Sequence, residues 1–214
     1  MRLYTYFRSS AAYRVRIALN LKGLDYQAVP VHLLRGGGEQ HGPEFTRRNP
    51  AELIPVLEDD PIVLTQSLAI LEYLEERHPA RPLLPAGAVE RAQVRALALS
   101  VVCDIHPLNN LRVMEYLEKK LLVSEDARRT WARHWIERGF VALERQLVES
   151  GTTGDFCHGT GPTIADCCLI PQVFNAVRLE CQLEPYPTIR HIYEHCAQLP
   201  GFERAHPGAQ PDAE

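Results

Sequence analysis

Residues 53–74 read LIPVLEDDPIVLTQSLAILEYL, and this stretch decides the fold of the first part of the chain. An apolar run that begins at Pro55 is interrupted by Asp59-Asp60-Pro61 and then resumes, which predicts a hairpin of two short strands. Residues 68–74 carry apolar side chains at helical spacing, and Gln66-Ser67 stands where that helix should begin. The stretch therefore predicts a strand–turn–strand–helix unit.

The predicted helix start at Gln66-Ser67 is a natural anion site, because free N–H groups and the positive end of the helix dipole meet there. Pro55 begins a strand although proline has no N–H to donate to the neighbouring strand. One use of such a proline is a cis peptide bond that turns the backbone toward a ligand. The same residues also fit an ordinary hairpin and capped helix that bind nothing.

Upstream of this stretch, the pattern predicts a strand, a helix that Gly23 ends, a second strand and a short helix. These elements cover residues 3–7, 11–21, 26–33 and 44–48. With the hairpin and its helix they give the β-α-β-α-β-β-α order of a thioredoxin-like domain.

Downstream, residues 78–85 contain three prolines and are predicted to be a linker, after which strand signals disappear. Helices are predicted over residues 89–122, 127–149, 164–178 and 189–198, with a break at Pro107, and the tail 205–214 is predicted to be loose. The fold class is therefore α/β followed by all-α. We assign residues 1–80 to the thioredoxin-like domain and residues 86–214 to the helical domain.

The composition is that of an ordinary soluble globular protein. The 214 residues are 45% apolar and 23% charged, and the formal net charge of −4 argues against a nucleic-acid partner. No apolar run reaches the length of a membrane span and the N-terminus has no signal-peptide core, so no membrane partner is expected. We expect a cytoplasmic protein.

The six cysteines form no CxxC and fit no zinc spacing, which predicts buried free thiols in a reducing compartment. Residues 191–195 have the H-x-x-E-H order of one zinc-protease class. No third ligand accompanies them, so a solvated helix face is the preferred interpretation and no metal is predicted.

The turn Arg8-Ser9-Ser10 is the second place where chemistry is expected. Hydroxyls and backbone N–H groups converge before a helix there, and in a thioredoxin-like fold this turn faces the cis-proline loop. Both kinds of donor would favour the thiolate of a bound thiol, whose ordinary pKa is about 8.5. The alternative is that Ser9 and Ser10 are plain helix caps.

Residues 8–19, RSSAAYRVRIAL, closely resemble the R-S-S-C-x-x-R-V-R-I-A-L segment of zeta-class glutathione transferases. Further matching segments cover nearly the whole chain. They include TQSLAI at 65–70, DIHPLNNL at 104–111, TIAD at 163–166 and PYPT at 185–188.

The resemblance implies the glutathione transferase fold, glutathione as cofactor, a homodimer, and cis–trans isomerisation of a small dicarboxylate substrate. Maleylacetoacetate is the leading substrate, and maleylpyruvate is the alternative. Two other hypotheses stay open: a transferase that conjugates or dehalogenates small α-haloacids, and a glutathione-binding module without activity.

The resemblance also implies roles for individual residues. Gln66 and Ser67 would hold the γ-glutamyl group, the Ile54 backbone the cysteinyl unit, and Gln40 the glycyl end. The implied glutathione contacts are Ser9, Ser10, Gln40, Ile54, Pro55, Gln66, Ser67, His106 and Asn110. Ser9 and Ser10 are the catalytic candidates.

Arginine binds carboxylates through its planar fork, which makes Arg8 and Arg178 the candidates for the substrate's acidic groups. Arg178 matches the family's substrate-carboxylate arginine, and the alternative for both is a surface ion pair. His106 has the alternative of a plain core histidine.

Ala11 departs from the family pattern, which has cysteine at this position. Cysteine-based redox exchange through residue 11 is therefore excluded. The sulfur that forms the covalent bond would be that of glutathione, and a serine would stabilise its thiolate.

Overall fold

The computed structural model describes residues 1–214 and divides them into two units. The first unit combines Met1–Leu83 with Gln198–Glu214, and the second is Leu84–Ala197. No helix is long and apolar enough to span a membrane.

The first unit contains four strands and four α-helices. They are β1 (Arg2–Thr5), α1 (Ser10–Lys22), β2 (Gln27–Pro30), α2 (Pro43–Thr46), β3 (Val56–Asp59), β4 (Ile62–Thr65), α3 (Ser67–Arg77) and, near the C-terminus, α9 (Pro200–Ala205). The order through α3 is the predicted thioredoxin-like order, which confirms this part of the fold. The strands are shorter than predicted, because the residues beyond Thr5 and Pro30 already turn into loops.

The sheet has the order β2-β1-β3-β4, with β1 parallel to β2 and antiparallel to β3. In the register of the ladder, Tyr4 pairs with Val56, and Val56 pairs with Thr65 on β4. The end of β1, the start of β3 and the end of β4 therefore meet at one edge. The chain after β2 leaves from the same edge, since Val31 donates its N–H to the Thr5 carbonyl.

Helix α1 has the predicted boundaries within one residue. The Ser9 hydroxyl caps its start, and Gly23 ends it in the left-handed region with φ of +68°. The amides of Gly23 and Leu24 return to the carbonyls of Asn20 and Leu19, which is a Schellman-type ending. A side chain at Gly23 would be strained by its φ and would collide with Arg81.

The second unit is all-helical, as predicted. Its α-helices are α4 (Ala88–Leu99), α5 (Leu111–Lys119), α6 (Glu125–Glu149), α7 (Ile164–Arg178) and α8 (Pro187–Ala197).

The predicted break at Pro107 is present, although it is wider than one residue. A π-helical segment, Ser100–Ile105, and a 3₁₀ turn, His106–Asn109, separate α4 from α5. Gly139 on α6 lets Ile105 pack against the helix, because a Cβ at residue 139 would overlap the Ile105 side chain. The Trp131 indole N–H also donates to the Leu108 carbonyl at 2.7 Å, which fixes the turn on α6.

Helix α7 begins with the capping box predicted from Thr163-Ile164-Ala165-Asp166. The fully buried Asp166 carboxylate accepts from the Thr163 amide and hydroxyl and from the Cys157 amide, at 2.8–2.9 Å. Desolvation by burial raises the pKa of Asp166, although these hydrogen bonds act in the opposite direction.

The prediction of a loose tail is wrong. The sequence assigns residues 86–214 to the helical domain, whereas residues 198–214 form α9 and a 3₁₀ turn, Pro207–Ala209, that belong to the first unit. The Asp212 carboxylate accepts the Phe7 N–H at 2.9 Å, and Gln210 is buried. The polar tail is ordered because its side chains and carbonyls satisfy buried donors of the first unit.

Candidate functional site

Four loops meet at one edge of the sheet, and they carry every site residue predicted in the first unit. The ladder register alone brings Arg8-Ser9-Ser10, Ile54-Pro55 and Gln66-Ser67 together there, because each follows or precedes a paired strand end. The loop after β2 supplies Gln40. This arrangement unites residues that are up to 59 positions apart in sequence.

Hydrogen bonds of the side chain and the backbone define the position of Ser9. Its Oγ accepts the Ala12 N–H at 3.2 Å, and its own N–H donates to the Tyr6 carbonyl at 3.0 Å. Ser9 is thus a helix cap, as one of the two interpretations of the sequence predicts. It leaves the hydroxyl proton for a ligand, because a serine oxygen accepts and donates at the same time. Ser10 is the first residue of α1 and is buried.

The turn before Ser9 is supported from beneath by Arg16, which is fully buried. Its guanidinium donates to the Thr5 hydroxyl and to the carbonyls of Tyr6, Phe7 and Ala205, at 2.9–3.3 Å. Burial lowers the pKa of Arg16 to about 10, so it is still protonated at neutral pH. Arg16 therefore fixes the backbone from which Arg8 and Ser9 project.

Arg8 is exposed at this turn. Its guanidinium lies 5.2 Å from the centre of the Phe7 ring, and its Nη2 donates to the Tyr6 hydroxyl at 3.1 Å. The ring contact and the hydrogen bond restrict the direction of an otherwise long and mobile side chain.

Helix α3 begins at Ser67, and its start differs from the prediction in one respect. The N-cap is Gln66, with φ of +68°, and no side chain caps the helix. Ser67 lies inside the first turn, where its Oγ accepts from Arg14 Nη1 at 3.1 Å rather than capping the helix. The first-turn N–H groups therefore have no side-chain acceptor, which suits an incoming anion.

The Ile54–Pro55 peptide bond is cis, as expected from the sequence. Asn49 organises the loop before it: Nδ2 donates to the Leu53 carbonyl at 2.6 Å, and Oδ1 accepts the Ala51 N–H at 3.1 Å.

Gln40 is turned inward and buried. Its Nε2 lies 3.0 Å from His41 Nε2 and 3.4 Å from the Leu33 carbonyl, while its Oε1 has no partner within the protein. The His41 ring in turn pairs with Glu52 at 2.6 Å. Gln40 is thus part of a short polar chain at the predicted glycyl end.

Three predicted residues belong to the second unit. His106 opens the 3₁₀ turn, and Asn110 caps α5 by accepting the Arg112 N–H at 3.2 Å. Arg178 ends α7 and donates to Asn175 Oδ1 at 3.0 Å, and Asn175 Nδ2 donates to Asn109 Oδ1 at 3.2 Å. Two asparagines thereby connect Arg178 to the turn that carries His106.

The sequence patterns assign no role to four supporting residues. Arg14 and Asn175 each contact a predicted site residue, and Arg16 and Asp212 contact the turn that carries Arg8 and Ser9. The available signal was charge in an apolar pattern: Arg14 and Arg16 interrupt a buried helix, and Asn175 stands three residues before Arg178. Their partners are far apart in sequence, so spacing alone does not identify them.

Five of the six cysteines are buried and Cys103 is exposed. Burial raises the pKa of the thiols of Cys157, Cys167 and Cys196, and that of Cys181 to about 11. The prediction of buried free thiols is confirmed for all but Cys103. In the late helix, His191 pairs with Asp155 at 2.9 Å, and His195 packs edge-on against Phe156.

Comparison with known proteins identifies relatives along the full length. Residues 1–76 match the model of the glutathione S-transferase N-terminal domain. A probable maleylacetoacetate isomerase of Vibrio cholerae is 53% identical over 211 residues, which cover 99% of this chain and 97% of the relative.

Two solved structures are also similar over the full length of both chains. A holo structure of maleylpyruvate isomerase, described as a bacterial glutathione S-transferase of the zeta class, is 46% identical with a TM-score of 0.97. A maleylacetoacetate isomerase from Methylobacterium extorquens AM1, with bound malonate and glutathione, is 40% identical with a TM-score of 0.96.

Proposed function

Because the chain belongs to the zeta class of the glutathione S-transferase family, we propose that it is a glutathione-dependent cis–trans isomerase that converts maleylacetoacetate to fumarylacetoacetate. The observation that carries the proposal is the sheet edge, where the Ser9 hydroxyl and the uncapped start of α3 meet. One supplies a donor for a thiolate, and the other supplies donors for a carboxylate.

Glutathione would bind along this edge. Gln66, Ser67 and the first-turn amides of α3 hold the γ-glutamyl group, the Ile54 backbone beside Pro55 pairs with the cysteinyl unit, and Gln40 holds the glycyl end. Ser9, with Ser10 beside it, donates to the sulfur. A hydroxyl donor and the positive end of α1 both stabilise the thiolate over the thiol, and so lower the pKa of the bound sulfur.

The reaction needs no cysteine of the chain, which fits alanine at position 11. The thiolate adds to the cis C=C bond and forms a C–S bond, while the electron pair moves onto the conjugated carbonyl as an enolate. The former double bond is now single and rotates. The enolate then collapses, the C–S bond breaks, and the trans isomer and the glutathione thiolate leave.

The proposed substrate carries a carboxylate at each end, and an arginine guanidinium binds a carboxylate through two parallel hydrogen bonds. Arg178, fixed by Asn175, and the exposed Arg8 are the proposed carboxylate ligands. His106 and Asn110 are proposed as further glutathione contacts, and the working form is proposed to be a homodimer. The bound malonate of the Methylobacterium relative supports a dicarboxylate as the substrate class.

Maleylpyruvate is the second candidate substrate, since the zeta-class relative with the TM-score of 0.97 is a maleylpyruvate isomerase. Both compounds lose the absorbance of a cis-enedione on isomerisation, so one assay compares them with and without glutathione. The substrate with the higher kcat/KM is the preferred one.

The assay also tests Ser9 when three variants are compared. Ser9→Ala should lose at least about tenfold in kcat/KM, the scale of 1.4 kcal/mol of transition-state stabilisation. Ser9→Thr keeps cap and hydroxyl and should stay active. Ser9→Asp keeps the cap but opposes a thiolate, so it should be as stable as wild type and inactive.

Glutathione binding without turnover of either maleyl compound would contradict the isomerase proposal. Turnover of α-haloacids in that case would favour the dehalogenase, and no turnover of any compound would favour the binding module.

A further inference from the structure

Arg14 links the two helices that begin at the candidate site. It projects from the second turn of α1 with only 1% of its surface exposed, and its Nη1 donates to the Ser67 hydroxyl on α3 at 3.1 Å. Ser67 is itself buried, with 5% exposed. A full positive charge is therefore enclosed directly behind the proposed γ-glutamyl site.

Enclosing a guanidinium is costly, because its hydration is lost and the interior compensates only through good hydrogen bonds. Ile17 and Ala18, three and four residues further along the same helix face, are apolar and fully buried, so a methionine at position 14 would suit these neighbours at lower cost. One N–H of this expensive group is directed at a neutral hydroxyl. The contact thus calls for an explanation in terms of what Ser67 does.

The chemistry of the pair fixes the direction of the Ser67 proton. Arginine only donates, so the Ser67 oxygen must be the acceptor, and the hydroxyl proton is directed to some other acceptor. A charged donor on the oxygen polarises the O–H bond and makes the hydroxyl a stronger donor. The first-turn N–H groups of α3, which no side chain caps, lie beside it. Together they form a ready set of donors for a carboxylate.

The hydroxyl groups of Ser9 and Ser67, at the starts of α1 and α3, therefore accept from different kinds of donor. Ser9 Oγ accepts from an amide of its own helix, whereas Ser67 Oγ accepts from a buried cation of another helix. Only the second arrangement brings a positive charge up to the hydroxyl.

We infer that Arg14 is a positioning residue, which orients and polarises the Ser67 hydroxyl for the α-carboxylate of the γ-glutamyl group of glutathione. The inference rests on the proposed function, because it deepens the same glutathione site. Arg14 acts through Ser67 and does not itself touch the ligand.

The test compares two thiols by calorimetric titration of the full chain. One is glutathione, and the other is 4-aminobutanoyl-Cys-Gly, which lacks only that α-carboxylate. Arg14→Met should reduce the preference for glutathione over the analogue by about tenfold, the scale of one charge-assisted hydrogen bond. Arg14→Lys should recover part of the preference. The double variant Arg14→Met/Ser67→Ala should be no worse than Ser67→Ala alone, since both residues serve one contact.

If Arg14→Met weakens the binding of glutathione and of the analogue equally, Arg14 has only a structural role and the inference is overturned. Unchanged binding of both thiols would overturn it as well. If circular dichroism finds Arg14→Met unfolded, Arg14→Lys and Arg14→Gln decide by the same ratio. A wild type that binds neither thiol would sink the inference and the proposed function together. An Arg14-dependent preference without turnover of maleyl compounds would support the inference while the isomerase proposal fails.

Discussion

Arg178, the proposed carboxylate ligand, has a long side chain whose direction is set by Asn175. The Asn175 side chain is buried, accepts from the guanidinium with its oxygen, and donates to Asn109 with its nitrogen. A pre-oriented fork loses less conformational entropy when it binds.

Asn175→Ala should therefore raise KM for the maleyl substrate by about three- to tenfold, or about 0.7–1.4 kcal/mol. This is less than the 1.5–3 kcal/mol typical of a hydrogen bond to a charged group, because the variant loses the orientation of Arg178 and keeps its charge. The KM for glutathione should stay unchanged, and steady-state kinetics with each substrate varied in turn measures both. Asn109→Ala is the matched control with a smaller effect, because it leaves the Asn175–Arg178 bond in place. A rise in the glutathione KM alone would contradict this role.

Ser9 and Ser67 illustrate how far single residues can be predicted. Ser-type signals before an apolar helix predicted both helix starts, and the helices begin there. The local signal does not separate the serine that caps its own helix from the one that accepts from Arg14. That distinction depends on a partner 53 residues away.

Among the elements, α1 and α3 are joined at their far ends by a buried ion pair. Lys22 Nζ lies 2.7 Å from Glu75 Oε2 and also donates to the carbonyls of His78 and Arg81 at 3.0 Å. Glu75 in addition accepts the Leu83 N–H at 2.9 Å. The pair thus ties the end of α1, the end of α3 and the proline-rich segment into one corner.

Lys22→Met should reduce the free energy of unfolding by about 3–5 kcal/mol, because it leaves the Glu75 charge buried without its cation. Urea or guanidinium unfolding measures the loss. The double variant Lys22→Met/Glu75→Leu removes both charges and should recover part of it. A double variant no more stable than Lys22→Met would show that the cost lies in the lost backbone contacts instead.

At the scale of the whole molecule, the C-terminal tail belongs to the first unit, which carries the proposed glutathione site. Asp212 accepts the Phe7 N–H, and the Glu214 carboxylate contacts His32 and Arg35 at 3.1 Å each. Phe7 precedes Arg8 and Ser9, and His32 and Arg35 belong to the loop that carries Gln40. Two terminal residues therefore contact two of the loops that form the candidate site.

Deletion of residues 211–214 should lower stability by about 1.5–3 kcal/mol, the cost of leaving the Phe7 amide without its charged acceptor, and should raise the KM for glutathione. Thermal unfolding and glutathione titration measure the two effects. Asp212→Asn keeps an acceptor oxygen and should lose less than Asp212→Ala. An unchanged Tm and an unchanged KM for glutathione in the truncated chain would contradict a stabilising role of the tail.

The sequence by itself determined the element order, the break at Pro107, the capping box of α7 and the positions of the loops that carry the candidate site. Periodicity and caps act over a few residues, so they survive in a one-dimensional pattern. The tertiary structure decided the supporting contacts: Arg14 with Ser67, Arg16 with the turn after β1, Asn175 with Arg178, and the tail with Phe7. Each of these satisfies a buried polar group with a partner that only packing brings close, and local sequence carries no signal for such a partner.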